Sequence, residues 1–383
     1  MKVLWAANTY WESPFQVGAN HLAREFASRG WDVAFLSDPV SPWHLLGRPG
    51  PTTQGRLKDW ARGGGRDLDG RLWHYSPLTL APPQNLPLLD SAWALDHWAA
   101  MSFPHASGKV RAMGFGEVDL LVVDSVPQSL WLKEVRARRT LYRMTDRFRG
   151  FDKATPAMLR KERELASSVD LVAYTARDLE KDVKDLGARK SLFLPNGVDA
   201  GAFRKKASLP PEYASIPAPR VVYAGAIDNW FNAAWVRAAA SALPGVSFVV
   251  IGPPGPAAAP LAGLANVHLL GMRPHASLAG YLQHARVGII PFDVEKHGDL
   301  IHAVNPIKLY EYLACGLPVV SSDWRELRNV GSPALLCRDG KSFLRGLGKC
   351  LSGRGAGAAS RRRFAARHDW SARADRLARA LGF

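Results

Sequence analysis

The sequence predicts an α/β protein made of two doubly wound domains that face a common cleft. Three observations carry this. Short, continuously apolar runs alternate with helical patterns along both halves of the 383 residues, and such runs belong to strands buried on both faces of a parallel sheet. The alternation breaks once, over Arg204–Pro219, where Lys205, Lys206, Pro210, Pro211, Pro217 and Pro219 crowd together, which reads as a linker. The composition is 47% hydrophobic and 22% charged, ordinary for a folded globular chain long enough for two domains.

In the first half, Lys2–Ala7 is a strand. Gly18–Arg29 is a helix with Leu22, Ala23, Phe26 and Ala27 at helical spacing, stopped by Gly30. Strands follow at Asp32–Ser37, Asp119–Asp124, Thr140–Met144 and Asp170–Tyr174, with a helical stretch reaching Ser168. The second half repeats the scheme: strands at Arg220–Ala224, Val246–Ile251, Val267–Leu270, Val287–Pro291 and Leu317–Ser321, and a helix at Asn232–Leu243. The last segment, Trp370–Leu381, is an amphipathic helix whose apolar stripe is Trp370, Ala374, Leu377 and Leu381, with Ser371 as a candidate N-cap and Gly382 just past its end. The expected domains are therefore 1–204 and 220–365, joined by 205–219, with 366–383 closing the domain junction.

No apolar run reaches the roughly 18–20 residues that span a bilayer. The short apolar start reads as a first strand, not a signal peptide. Cys315, Cys337 and Cys350 form neither a C-x-x-C pair nor an even set, which fits a reducing cytosol and argues against a disulfide framework or zinc site. Fifty Lys and Arg against 34 Asp and Glu give a net charge of +16. Such a surface attracts phosphorylated substrates, anionic membranes or nucleic acid. Zinc-finger spacing and RNA-recognition aromatics are missing, so a dedicated nucleic-acid protein fits poorly.

The richest segment is Asn305–Val320, NPIKLYEYLACGLPVV. Asn305 suits an N-cap and Pro306 the first helical position. The helix start presents bare N–H groups with a partial positive charge, a ready seat for a diphosphate. Lys308 in the first turn opposes the helix dipole unless it shares an anion with it. Glu311, three residues on, sits at a depth where its carboxylate can accept from ribose hydroxyls. Spacing alone leaves open an ordinary exposed Lys–Glu pair.

This segment resembles the donor-binding signature of the GT-B glycosyltransferases, the superfamily that includes the GT4 enzymes. Asn196-Gly197-Val198-Asp199, the loop Tyr223-Ala224-Gly225-Ala226-Ile227-Asp228, Gly271-Met272-Arg273-Pro274-His275 through Tyr281-Leu282, and Val287–Phe292 resemble further elements of that group, in the same order. The resemblance implies a GT-B fold of two Rossmann-like domains and transfer from a nucleotide diphosphate sugar, UDP-linked in the pattern that fits best. It implies a donor site at Gly225, Ala226, Arg273, Asn305, Ile307, Lys308 and Glu311, and needs no metal or cofactor. GT4 enzymes usually carry a second glutamate eight positions before the one matching Glu311; here that position is Ala303. The pattern is closer to the branch with the xanthan glucuronosyltransferase and the teichuronic-acid-type transferases, which puts a retaining mechanism in doubt and makes a uronic acid donor one option.

An inverting transferase needs a base for the acceptor hydroxyl. Asp146, in Tyr142-Arg143-Met144-Thr145-Asp146-Arg147, lies just past a strand's carboxyl end, where α/β sheets keep their chemistry, and the matching stretch of the xanthan enzyme carries its aspartate base. The alternative is a capping aspartate, or one paired with Arg143, Arg147 or Arg149. Asp124 and Asp38 read as loop caps, His21 as a solvated helix residue, and His302 as a weaker candidate for donor contact beside His297. Asp67-Leu68-Asp69 has the letters of a metal-binding pair but reads as a solvated turn.

Ser41–Arg71, with Trp43, Arg48, Arg56, Lys58, Trp60, Arg62 and Arg66, reads as irregular chain; Ser91–Phe103 puts Trp93, Trp98 and Phe103 on a helix-like pattern. Tryptophan with arginine suits a sugar-stacking surface or a membrane interface, or else core. A glycan or lipid-linked acceptor and peripheral contact with the inner leaflet are the expectation. Two other functions stay open: a sugar-nucleotide enzyme that does not transfer, of the 2-epimerase type, and a basic membrane- or nucleic-acid-binding protein.

Overall fold

A computed structural model describes residues 1–45, 50–80, 91–152, 154–354 and 357–383. It divides into two compact units: Met1–Pro195 with Ser371–Phe383, and Asn196–Trp370.

The first unit holds β1 (Lys2–Ala7), β2 (Asp32–Ser37), β3 (Gly65–Asp67), β4 (Leu72–Tyr75), β5 (Glu117–Val123), β6 (Arg136–Met144), β7 (Leu171–Tyr174) and β8 (Ser191–Phe193). They lie in the order β3-β4-β2-β1-β5-β6-β7-β8. All neighbours are parallel except β3 on β4. The predicted strands are present, and β6 starts earlier than expected because Arg136–Arg139 continue its pairing with β5. Val3 to Ala7 and Leu120 to Val123 are buried throughout, as a sheet covered on both faces requires.

The second unit holds β9 (Arg220–Ala224), β10 (Ser247–Ile251), β11 (Val267–Gly271), β12 (Val287–Ile290), β13 (Val319–Ser322) and β14 (Leu335–Cys337), ordered β11-β10-β9-β12-β13-β14. Counted within the unit this is 3-2-1-4-5-6, the doubly wound order whose direction of winding reverses between the first and fourth strands. Side chains of β9 alternate between two cores. Val222 and Ala224 join Tyr310, Tyr312 and Leu313, while Val221 and Tyr223 join Val236, Phe343 and Leu347.

Four sequence expectations need correction. The segment 205–219, expected to join the domains, packs within the second unit: Tyr213 and Ile216 are buried in its core beside Phe203, and Glu212 is bound by Arg273 and Tyr281. The chain leaves the first unit earlier, at Pro195. Ser41–Arg71 is not irregular throughout, because Pro51–Ala61 is a helix; Arg48 lies outside the described residues. Ser371 is not the N-cap of the last helix, which is already under way at Trp370. Arg29 instead donates to the Ser371 carbonyl and hydroxyl. Finally, His21 is buried rather than solvated.

The last helix adds to the first unit. Arg29 pairs with Asp375 at 2.9 Å, Arg139 donates to the Leu381 carbonyl, and the Phe383 ring meets Trp31 edge-on at 5.1 Å. No described helix is long and apolar enough to cross a membrane.

Candidate active site

The second unit gathers its chemistry where β9 and β12 end side by side, at the reversal of strand order. Ala224 ends β9, and the next residue, Gly225, has φ +150. A Cβ there would collide with the Lys308 ammonium and meet the Tyr223 hydroxyl at 3.0 Å. Glycine is needed both for that backbone angle and for the lysine's seat. Lys308 reaches this seat from the first turn of the Ile307–Ala314 helix. Its Nζ donates to Tyr223 Oη at 3.1 Å and lies 4.3 Å from the Tyr223 ring centre and 5.0 Å from that of Phe292. The Tyr223 hydroxyl in turn donates to the Ala226 carbonyl at 2.7 Å. Burial pushes the Lys308 amine down to about 7, against the opposing pull of Glu311. A lysine held in this way gains most from an arriving anion, which restores its charged form.

The helix itself is anchored from behind. Tyr312 Oη accepts the Ala224 amide at 2.7 Å, so the strand end and the helix move together. Glu311, one turn below the helix start, is buried, and its Oε1 lies 2.7 Å from His275 Nε2. An ionised carboxylate can only accept, so Nε2 carries the proton in that bond.

Two expected donor-site residues make contacts within the unit itself. Asn305 does not cap the helix; the cap position is Pro306, with no side-chain cap bond. Asn305 is buried, donates to Glu326 Oε1 at 3.0 Å, accepts from Tyr310 Oη at 3.0 Å, and offers its carbonyl to Asn196 Nδ2 at 2.7 Å. It is a clasp that fixes where the helix begins. Arg273 holds Glu212 through Nε at 2.9 Å and Nη2 at 2.7 Å, so its charge is committed to pinning its loop. Gly225, Ala226 and Lys308 meet around the Tyr223 hydroxyl, and Ile307 and Glu311 lie on the helix that carries Lys308. His302 accepts the Arg325 amide at 3.4 Å and His297 sits at a kink in Val294–Ile301. Ala303 is fully buried, so only a methyl group stands where many GT4 enzymes have a glutamate.

Asn196–Asp199 is a brace. Val198 exchanges backbone bonds with His368 and Trp370 at 3.0 and 3.2 Å, and a Cβ on Gly197 would stand 2.6 Å from the His368 carbonyl. Asp199 caps Ala200–Arg204 through the Ala202 amide.

In the first unit, Asp146 follows β6, half-buried, and accepts from Thr145 Oγ1 at 2.8 Å. Its three neighbouring arginines each hold another carboxylate: Arg143 holds Asp124, Arg147 holds Asp178 and Asp182, and Arg149 holds Asp182. Asp124 is buried and accepts from Trp5 Nε1 at 2.9 Å. Burial raises its pKa, with Arg143 opposing. Asp38 accepts from Ser125 Oγ at 3.1 Å. The three carboxylates thus follow β2, β5 and β6 along one edge of the sheet, as the register Ala7 to Ser37, Ala6 to Val123 and Val123 to Tyr142 requires. Asp67-Leu68-Asp69 is a tight turn with Leu68 and Asp69 at positive φ, and Asp67 accepts from Trp11 Nε1. Of the aromatic residues set aside for a surface, Trp98 is core, donating to the Pro127 carbonyl, whereas Trp43, Trp93 and Phe103 are exposed.

Residues 5–175 match the family model described as the N-terminal domain of the glucuronosyltransferase GumK. Residues 218–352 match the model for group 1 glycosyl transferases. The chain is a glycosyltransferase. Its fold is GT-B: the sucrose-phosphate synthase of Thermosynechococcus elongatus superposes with a TM-score of 0.71 at 16% identity, covering 99% of this chain and 98% of that one. The HepE protein of Anabaena, solved with UDP and glucose, gives 0.67 at 14%, covering 100% and 99%. An E. coli trehalose-6-phosphate structure bound with UDP-2-fluoro glucose gives 0.67 at 13%, covering 99% and 98%. No curated protein sequence matches the chain significantly.

The sequence reading of the transferase missed His275, Phe292, Tyr312 and Glu212. Their letters stood inside or beside the quoted motifs, but no spacing rule ties a histidine to a glutamate 36 residues away.

Proposed function

We propose that the transferase takes a sugar from a UDP-linked donor and places it on a hydroxyl of a glycan or lipid-linked acceptor, with inversion. The observation that carries this is the Lys308 seat against Gly225, at an uncapped helix start with Glu311 one turn deeper. The diphosphate lies on the helix N–H groups and Lys308, which take up the charge that develops on the leaving nucleoside diphosphate. This cationic pair serves in place of a metal. Glu311 accepts from the ribose. Relatives of the same fold solved with UDP, UDP-glucose or UDP-2-fluoro glucose support the choice of nucleotide.

Asp146 is the base: its carboxylate takes the acceptor hydroxyl proton as the oxygen bonds to the anomeric carbon and the sugar–phosphate bond breaks on the opposite face. The exposed Trp43, Leu80, Trp93 and Phe103 on a chain of net charge +16 support peripheral contact with an anionic inner leaflet and a place in polysaccharide assembly.

Calorimetric titration with UDP, ADP and GDP tests the donor reading. UDP alone should bind, and both Lys308→Ala and Glu311→Ala should weaken it about tenfold or more. If none of the three nucleotides binds, the reading is wrong.

A further inference from the structure

The contact between His275 and Glu311 has more in it than satisfaction of a buried acid. Glu311 is buried, and the hydrogen bond to His275 engages one of its two oxygens at 2.7 Å. A glutamate's terminal torsion is broad and roughly two-fold, so a carboxylate with no fixed partner presents its lone pairs over a wide arc. A charge-assisted bond of this length sets the carboxylate plane.

His275 is itself fixed. Its ring stands edge-on to Phe203, with centroids 5.6 Å apart and planes at 76°. The loop that carries it begins at Gly271 and is held two residues earlier by Arg273, whose guanidinium grips Glu212 while Tyr281 Oη donates to the other oxygen of the same acid at 2.9 Å. Phe203 comes from the Asp199-capped turn. Three separated stretches of chain therefore converge to orient one carboxylate. A salt link needed only for stability requires no such arrangement, because a buried acid can be satisfied by any donor.

We propose that His275 is a positioning residue that sets ribose selectivity. By holding Oε1 of Glu311 it turns Oε2 toward the nucleotide as the acceptor for the ribose hydroxyls, and so makes the site discriminate against deoxyribose. This rests on the reading above that Glu311 takes the ribose of a nucleoside diphosphate. The discrimination has a physical source: with a deoxyribose, the desolvated Oε2 loses its donor and stays unpaired.

The test is calorimetric titration of the full chain with UDP, 2′-deoxy-UDP and 3′-deoxy-UDP. The proteins are wild type, His275→Ala, His275→Phe and His275→Gln. His275→Phe keeps a ring against Phe203 without a donor, and His275→Gln keeps a donor without the ring. Wild type should prefer UDP to at least one deoxynucleotide by about tenfold to a hundredfold. His275→Ala and His275→Phe should bring that ratio below about threefold, and His275→Gln should restore most of it. Thermal unfolding of each variant reports any loss of fold separately. If the variants weaken all three nucleotides equally, His275 is structural and the inference falls while the donor site stands; if wild type binds UDP without preferring ribose, the ribose role of Glu311 falls with it. If wild type binds no nucleotide, both fall.

Discussion

Lys308 offers a test in which the direction, the size and the control all come from its surroundings. In the free protein, burial between Tyr223 and Phe292 holds its pKa at about 7 instead of 10.5. A diphosphate beside the amine favours the charged form and moves that value back up. Well below pH 7 the free protein already carries the charge, so Lys308 adds no pH dependence there. Between the free and bound pKa values, binding must draw a proton from solvent, and affinity falls as pH rises. For a single site this weakens UDP binding by about fivefold from pH 7 to 8 and about fiftyfold from pH 7 to 9. Titration at these three pH values, in pairs of buffers with different ionisation enthalpies, reads both the affinity and the proton uptake. Uptake should approach one proton per UDP at pH 8 and above. Lys308→Met, run in parallel, removes the linkage while keeping the ligand's own titration, and its affinity should be weaker but nearly independent of pH. Equal slopes in the two proteins would refute the argument that Lys308 charges on binding.

Asp146→Asn should lower transfer turnover by about a hundredfold to ten-thousandfold while leaving UDP affinity unchanged; full turnover would remove Asp146 from the reaction. Tyr312→Phe leaves the buried Ala224 amide without its acceptor and should cost about 1–3 kcal/mol in urea unfolding, a loss that an unshifted midpoint would contradict. Vesicles containing phosphatidylglycerol should sediment the wild-type protein, and the double change Trp43→Ser and Trp93→Ser should release most of it. A wild type that stays in the supernatant would end the membrane reading.

The strands were legible because burial on both faces leaves continuous apolar runs, and the Ile307–Ala314 helix because a loop-to-helix start with Lys308 and Glu311 is written in adjacent letters. Several of the misses share one cause, contact between residues distant in sequence. Asn305 has the letters of a cap, but Tyr310 and Glu326 claim its side chain, and the second of these is 21 residues away. The prolines of 205–219 suggest a linker, yet Tyr213 and Ile216 fill a core whose other walls lie far along the sequence. The arginines around Asp146 also hold acids beyond local reach, Asp124, 19 residues before Arg143, and Asp182, 35 after Arg147. Local patterns report propensity; they do not report which of several neighbours in space wins a hydrogen bond.

The return of Ser371–Phe383 to the first unit imposes an order of assembly on synthesis. A ribosome releases the amino-terminal part first, and domains ordinarily fold as they emerge. Here Trp31 waits for Phe383, and Arg29 for Ser371 and Asp375, until the whole of Asn196–Trp370 has been made. The first unit is thus the last to be finished, and a fragment cut at Pro195 is an incomplete domain with the face around Trp31 laid bare.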